Sequence, residues 1–143
     1  MKRLAEFGPI FRDQNNAFGE WRPVTGKGTM EDPLIGGWFD MSESAGRFCD
    51  VVNEFIWSLE GFDWVKWIGD PEGQEVSSSL GAIAAADGLQ LAKLALSLVR
   101  QDRFSEGKLA KAYEDKTLLA IVERAEALVG APASSPKRAK KSS

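Results

Sequence analysis

The sequence predicts a mainly α fold: a compact bundle of about four to five helices, with a small irregular or β-hairpin segment near residues 20–40. Three observations carry this. Between residues 42 and 59, Phe48, Val51, Val52, Phe55, Ile56 and Leu59 recur at helical spacing and form one apolar stripe. The same spacing returns in Leu91, Leu94, Ala95 and Leu98, and again in Leu118, Ile121, Val122, Ala125 and Leu128. Between Glu20 and Met41 the pattern changes to β-forming residues punctuated by proline and glycine.

In chain order, residues 2–12 suit a short helix, with Leu4, Phe7 and Phe11 on one side and Pro9 as an obstacle. A polar loop, "RDQNNAFGEW", follows. Residues Glu20–Val24 can pair with Leu34–Phe39 as a loose hairpin, or the segment can be an ordered loop. The helix after it begins at Ser42 or Ser44, whose hydroxyl can accept from a free backbone amide, and leaves through Gly61. Asp63 can cap a short turn that places Trp64, Trp67 and Ile68 on one face. "GDPEGQEVSSS" reads as a flexible connection. The second long helix starts near Leu80 or at Asp87. "GKLAKAYED" is a short helix, and the last helix is capped by Thr117 or Asp115 and ended by Gly130 and Pro132. Residues 1–130 thus make one helical domain, and 131–143 a disordered basic tail without an apolar cluster to hold it.

Composition narrows the function classes. A chain of 143 residues can bury enough surface to fold without metal or disulfide. Cys49 is the single cysteine, which rules out an internal disulfide and fits a reducing cytoplasm. The start has no uninterrupted apolar stretch of a secretory leader, and "LGAIAAADGLQLAKLALSLV" is too polar to be a membrane span. The formal net charge is −3; the tail contributes four positive charges and no acid, so the first 130 residues carry −7. Such a body argues against a duplex-binding surface spread over the fold. The tail "SSPKRAKKSS" offers nucleic acid only a weak, salt-sensitive attraction.

Histidine is absent, which excludes a histidine base, a Ser-His-Asp triad and histidine metal ligation within the chain. With one cysteine, a structural zinc site is excluded as well. No cofactor is implied. "TGKGT" at 25–29 lacks the spacing of a phosphate-binding loop. Cys49 lies among core positions and reads as a buried, inert thiol. Asp63, Asp87 and Asp102 are the carboxylates nearest apolar segments, and each stands where it can tie off the free amides of a helix start.

The densest run of charge beside apolar residues is "RQDRFSEGKLA", residues 100–110. Asp102 follows Leu91 by eleven residues, three turns on along the same helix face, so it needs compensation from following amides or from Arg100 or Arg103. Ser105 and Glu106 suit the start of the next helix, and Gly107 a tight turn. A helix–helix corner accounts for every residue of the run. The functional alternative is an Arg/Asp/Glu patch for an anionic ligand or a partner's charged side chain. "AADGLQLAKLALSLVRQDRFSEGKLAKAYEDKTLLAIVERA" resembles the C-terminal signature of the family named only as domain of unknown function 6508. "LVRQDRFSEG" is the strongest block; "FGEW" and "EFIWSLEGFDWVKW" occur in the matching order, and the likeness spans about residues 15–129. The resemblance implies a bacterial or phage protein and carries no catalytic residue.

Trp57 falls off the main stripe of its helix and can line a second interface or a surface groove. Aromatic and arginine side chains dominate protein contact sites. The candidate binding residues are therefore Trp57, Trp64, Trp67, Arg100, Asp102, Arg103 and Glu106, with a groove walled by Trp57 or Trp67 and edged by Arg100 or Arg103. The sequence favours a cytoplasmic protein that binds a protein partner, acts without catalysis and does not cross a membrane. The alternatives are a small carboxylate/arginine enzyme or ligand-binding protein, and a nucleic-acid accessory protein that uses the tail.

Overall fold

The computed structural model describes residues 1–35 and 37–130. The chain is mainly α with one small antiparallel hairpin, as its periodicity requires. The basic tail lies outside the described residues.

Two short helices open the chain, α1 (Lys2–Ala5) and α2 (Gly8–Arg12). Pro9 accounts for the break, since it sits in the first turn of α2, where its missing N–H costs nothing. Leu4, Phe7 and Phe11 are all buried. The hairpin pairs β1 (Gly19–Arg22) with β2 (Trp38–Met41) in the register Trp21↔Phe39, and the bridge Thr25↔Ile35 extends it.

The next helix, α3 (Glu43–Asn53), is capped by Ser42, whose Oγ accepts from the Ala45 amide at 3.2 Å. The single five-turn helix suggested by the sequence tightens at Glu54 into a 3-10 turn, Glu54–Trp57. Phe48, Val51 and Val52 are buried as expected, whereas Ile56 is turned outward. Gly61 exits at φ +74°, a left-handed conformation that glycine adopts without steric cost. The aspartate cap of α4 (Trp64–Gly69) is present: one Asp63 oxygen accepts from the Val65 and Lys66 amides.

The connection expected to be flexible folds instead as α5 (Pro71–Val76). Proline at its first turn and a buried Val76 supply the start and the anchor. Both candidate starts of the second long helix are used, by separate helices. Ser79 caps α6 (Leu80–Ala84), and Asp87 with Gln90 forms a reciprocal capping box at α7 (Gly88–Asp102). The chain ends its described part with α8 (Lys108–Glu114) and α9 (Thr117–Gly130). Asp115 settles the choice of cap for α9, because its Oδ1 accepts from both the Thr117 amide and the Thr117 hydroxyl.

Helices α7 and α9 form the centre of the bundle. The first packs against α3, α4, α5 and α8; the second against α1, α2, α6 and α8; and the two pack on each other. Leu91, Leu94, Leu118, Ile121 and Val122 are essentially inaccessible where they meet. At one end Phe7, Phe11, Phe18, Phe48 and Tyr113 form an aromatic cluster; the Phe18 and Tyr113 rings stack at 4.9 Å. Arg124 ties α9 to the entry of α7 by donating to the Ala86 carbonyl at 2.7 Å.

Candidate binding face

The corner between α7 and α8 is built from the quoted run. Asp102, half-buried at the end of α7, accepts through one oxygen from the Gly107 amide at 3.2 Å and the Leu109 amide at 3.0 Å. A carboxylate at the end of an apolar stripe is thereby compensated by the unpaired amides of the next helix. The arginines are not its partners, and the amides of α8 are served by Asp102 and not by the Ser105 side chain. Gly107 itself has φ +97°.

Glu106 does something the sequence did not suggest. It does not face its own helix; its carboxylate accepts from the Phe39 amide of β2 at 3.1 Å. Beside it, a Cβ on Gly107 would fall 2.6 Å from the Trp21 ring. The hairpin therefore docks on the corner through a charged hydrogen bond and a contact that only glycine permits. Trp21 in turn packs edge-on against Phe39, its cross-strand partner, at 5.2 Å.

Near the end of α7, at Leu96 and Arg100, lies a concavity of about 230 Å³. Ile56, Leu59, Phe62, Trp64, Leu96 and Arg100 line it. Trp64 stacks on Phe104 with ring centres 6.1 Å apart. Phe104 is 81% exposed, and Trp57, the chain neighbour of Ile56, is 87% exposed. An aromatic side chain left this open contributes little to folding and is available to a partner. Arg100 borders the groove and Arg103 is exposed next to Phe104. Neither guanidinium forms an ion pair among the described residues.

The candidate residues thus separate. Trp64 and Arg100 share the groove, whereas Trp57 and Arg103 are exposed and are not among its lining residues. Trp67 is elsewhere in function: it is 6% exposed, and its indole N–H donates to Glu72 at 2.7 Å. That bond, with further ones from Gln90 and Lys93, holds the Glu72 carboxyl below the usual carboxylate range. Asp102 and Glu106 are engaged in the corner and the hairpin. Asp63, Asp87 and Asp102 each bind helix-start amides and share no hollow.

Two features escaped sequence reasoning. Phe104 was visible only as one apolar residue in a charged run. The hairpin arm exposes Trp21, Val24, Leu34, Ile35 and Trp38, with Met30 at its tip 97% exposed. Alternation in a two-stranded ribbon tells which side chains share a face, but not how much of either face another element covers. Cys49 is less than fully buried; burial, followed by the charges of Asp102 and Asp50, pushes its thiol up to about 11. Among the described residues no three acidic or thiol side chains are grouped to hold a metal ion. Also among them, no helix is long and apolar enough to cross a membrane.

Residues 1–131 match the model of a family of unknown function, DUF6508, and the chain belongs to that family. No curated protein and no solved structure matches it.

Proposed function

We propose that this DUF6508 protein is a binding module of the bacterial or phage cytoplasm that captures a segment of another protein on the face beside the α7–α8 corner. The observation that supports it best is an apolar groove lined by Trp64 and Arg100, with the open Phe104 ring stacked on Trp64 and the Arg100 guanidinium free of ion pairs among the described residues. The occupant is a peptide segment with an apolar side chain to fill the groove and a carboxylate to meet Arg100 or Arg103. Arginine offers a planar fork suited to a carboxylate, and its partner here would be brought near a dry aromatic wall. The hairpin arm, fixed to the same corner by Glu106 and Gly107, carries a separate set of exposed apolar side chains.

The test is capture from the native host with the wild-type chain, followed by identification and titration of the retained protein. Trp57→Ala and Phe104→Ala are each expected to weaken the identified complex by about thirtyfold, and together by up to about a thousandfold, since central aromatic anchors carry about 2 kcal/mol each. Arg103→Glu is expected to slow association and remove most of its salt dependence. The urea midpoint should hold in each variant, because exposed positions alter stability by roughly 0.5 kcal/mol at most. Capture undiminished in the folded double variant would place the binding surface elsewhere.

A further inference from the structure

A second concavity, of about 270 Å³, is lined by residues of α4, α7 and α8, by Ser77 after α5, and by Asp115 and Thr117 at the turn into α9. Its apolar wall is Ile68, Leu94, Leu98 and Ala112. Lys108 and Lys111, three residues apart on α8, stand on the same rim. Neither lysine forms an ion pair among the described residues. The one carboxylate among the lining residues, Asp115, accepts through Oδ1 from the amide and hydroxyl of Thr117 at 3.1 and 2.6 Å and keeps its charge. Gln101 also lines the cavity, and its Nε2 is buried without a hydrogen-bond partner. A buried amide left unpaired is a standing penalty that an acceptor can remove.

We propose that this cavity binds a short aliphatic monocarboxylate, with its chain against Leu94, Leu98 and Ile68 and its carboxylate between Lys108 and Lys111. Lysines three residues apart on a helix lie on the same side, so one anion can meet both ammonium groups while losing little hydration on its open side. Turning the Gln101 amide toward the cavity gives the carboxylate a third donor. The apolar wall selects against a bare inorganic anion, which gains nothing from it. At about 30 Å³ of liquid volume per water, the space equals roughly nine waters, so the ligand has about ten non-hydrogen atoms or fewer. The somewhat larger concavity between α6 and α9 differs in the state of its polar groups. There Arg124 is committed to the Ala86 carbonyl and Glu123 to Arg12, which leaves Lys116 as a single cation where the cavity beside α8 has two.

Hexanoate is the probe, titrated into the full chain and followed by backbone amide shifts and by calorimetry, with hexanol and acetate as controls. Hexanoate is expected to bind with a Kd on the order of 0.1–1 mM, in keeping with the affinity per atom of small ligands. The shifts should cluster on the amides around Leu98, Gln101, Lys108 and Ala112. Hexanol and acetate should each bind at least tenfold more weakly. Lys108→Ala with Lys111→Ala should weaken hexanoate by tenfold or more with an unchanged urea midpoint, and Gln101→Leu by a few fold. Trp57→Ala with Phe104→Ala should leave hexanoate binding as it was, which separates this site from the partner-binding face. The proposal fails if hexanoate produces no saturable shifts at these residues. It fails equally if hexanol binds as well as hexanoate, or if the double lysine variant retains full affinity.

Discussion

Replacing Asp102 with alanine takes one carboxylate oxygen away from two backbone donors, the Gly107 and Leu109 amides. A hydrogen bond to a charged group contributes about 1.5–3 kcal/mol, and loss of a helix cap costs about 0.5–2 kcal/mol. Asp102 is half-buried, so water can reach part of what is freed; Leu109, however, is fully buried. Two bonds at the lower end of the range give a loss of about 2–3 kcal/mol. With a urea slope of about 2 kcal/mol/M for a domain of this size, the midpoint should fall by about 1–1.5 M. Asp102→Asn keeps an acceptor of the same shape without the charge, and should lose about half as much. Arg103→Ala, which removes an exposed side chain from the same run, should shift the midpoint by less than about 0.3 M. Equilibrium urea unfolding followed by circular dichroism reads all three. If Asp102→Ala unfolds at the wild-type midpoint, the capping account of the corner is wrong. If Arg103→Ala costs as much as Asp102→Ala, the carboxylate is held by an ion pair instead, and the same conclusion follows.

Three further outcomes rest on the same geometry. Gly107→Ala should destabilise by about 1–2 kcal/mol for the left-handed backbone alone, and should also loosen the hairpin by driving a methyl into Trp21. Faster amide exchange in Gly19–Arg22 than in α9 would show the second effect, and unchanged hairpin exchange would exclude it. Glu72→Gln should lower stability near neutral pH. The folded carboxyl titrates below its ordinary 4.5, so its contribution is complete above that value and disappears as pH falls through the lower folded one. Wild type and variant unfolding midpoints should therefore converge in strong acid, and a gap that persists there would contradict the charged bond from Trp67. Cys49 should react slowly with iodoacetamide at pH 8, and about tenfold faster per pH unit until its thiol titrates near 11. Asp102→Asn should quicken that reaction by removing one of the charges that raise the thiol, and an unchanged rate would show the two groups to be insulated.

The helices were legible in the sequence because burial repeats with the helical period and because caps have a local chemistry. Asp63 and Asp87 sit immediately before their helices and accept from amides two and three residues on. Asp102 was legible for the same reason, although it reaches five and seven residues ahead. What lay beyond reading was anything that depends on which surface another element covers. Trp64 and Trp67 are three residues apart on one short helix and would share a face by spacing alone. Trp67 is enclosed because α5 folds back and brings Glu72 to its indole N–H, whereas Trp64 meets only Phe104 and the groove. The segment that makes this difference, "GDPEGQEVSSS", carries one strong apolar residue, Val76, and so has no stripe to announce it.

The same reasoning applies to the charged run. Spacing places Glu106 at a helix start, where a negative charge is favourable in any event. It cannot show that the unpaired edge of β2 passes within hydrogen-bonding distance, which is what gives Glu106 its partner. The run therefore holds two kinds of residue in alternation. Asp102, Glu106 and Gly107 are spent on joining α7, α8 and the hairpin, while Arg100, Arg103 and Phe104 are turned away from every bond in that joint. A corner stiffened by the first set holds the second set at fixed spacing. Under the proposed binding role, rigid presentation of an aromatic and two cations lowers the ordering cost of binding, which would join the capping network and the binding face into one device. Loosening the corner by Asp102→Ala should accordingly weaken partner capture without touching a contact residue, and stabilising osmolyte should restore part of it. If the affinity of the folded variant equals that of wild type, the face does not depend on the corner's rigidity.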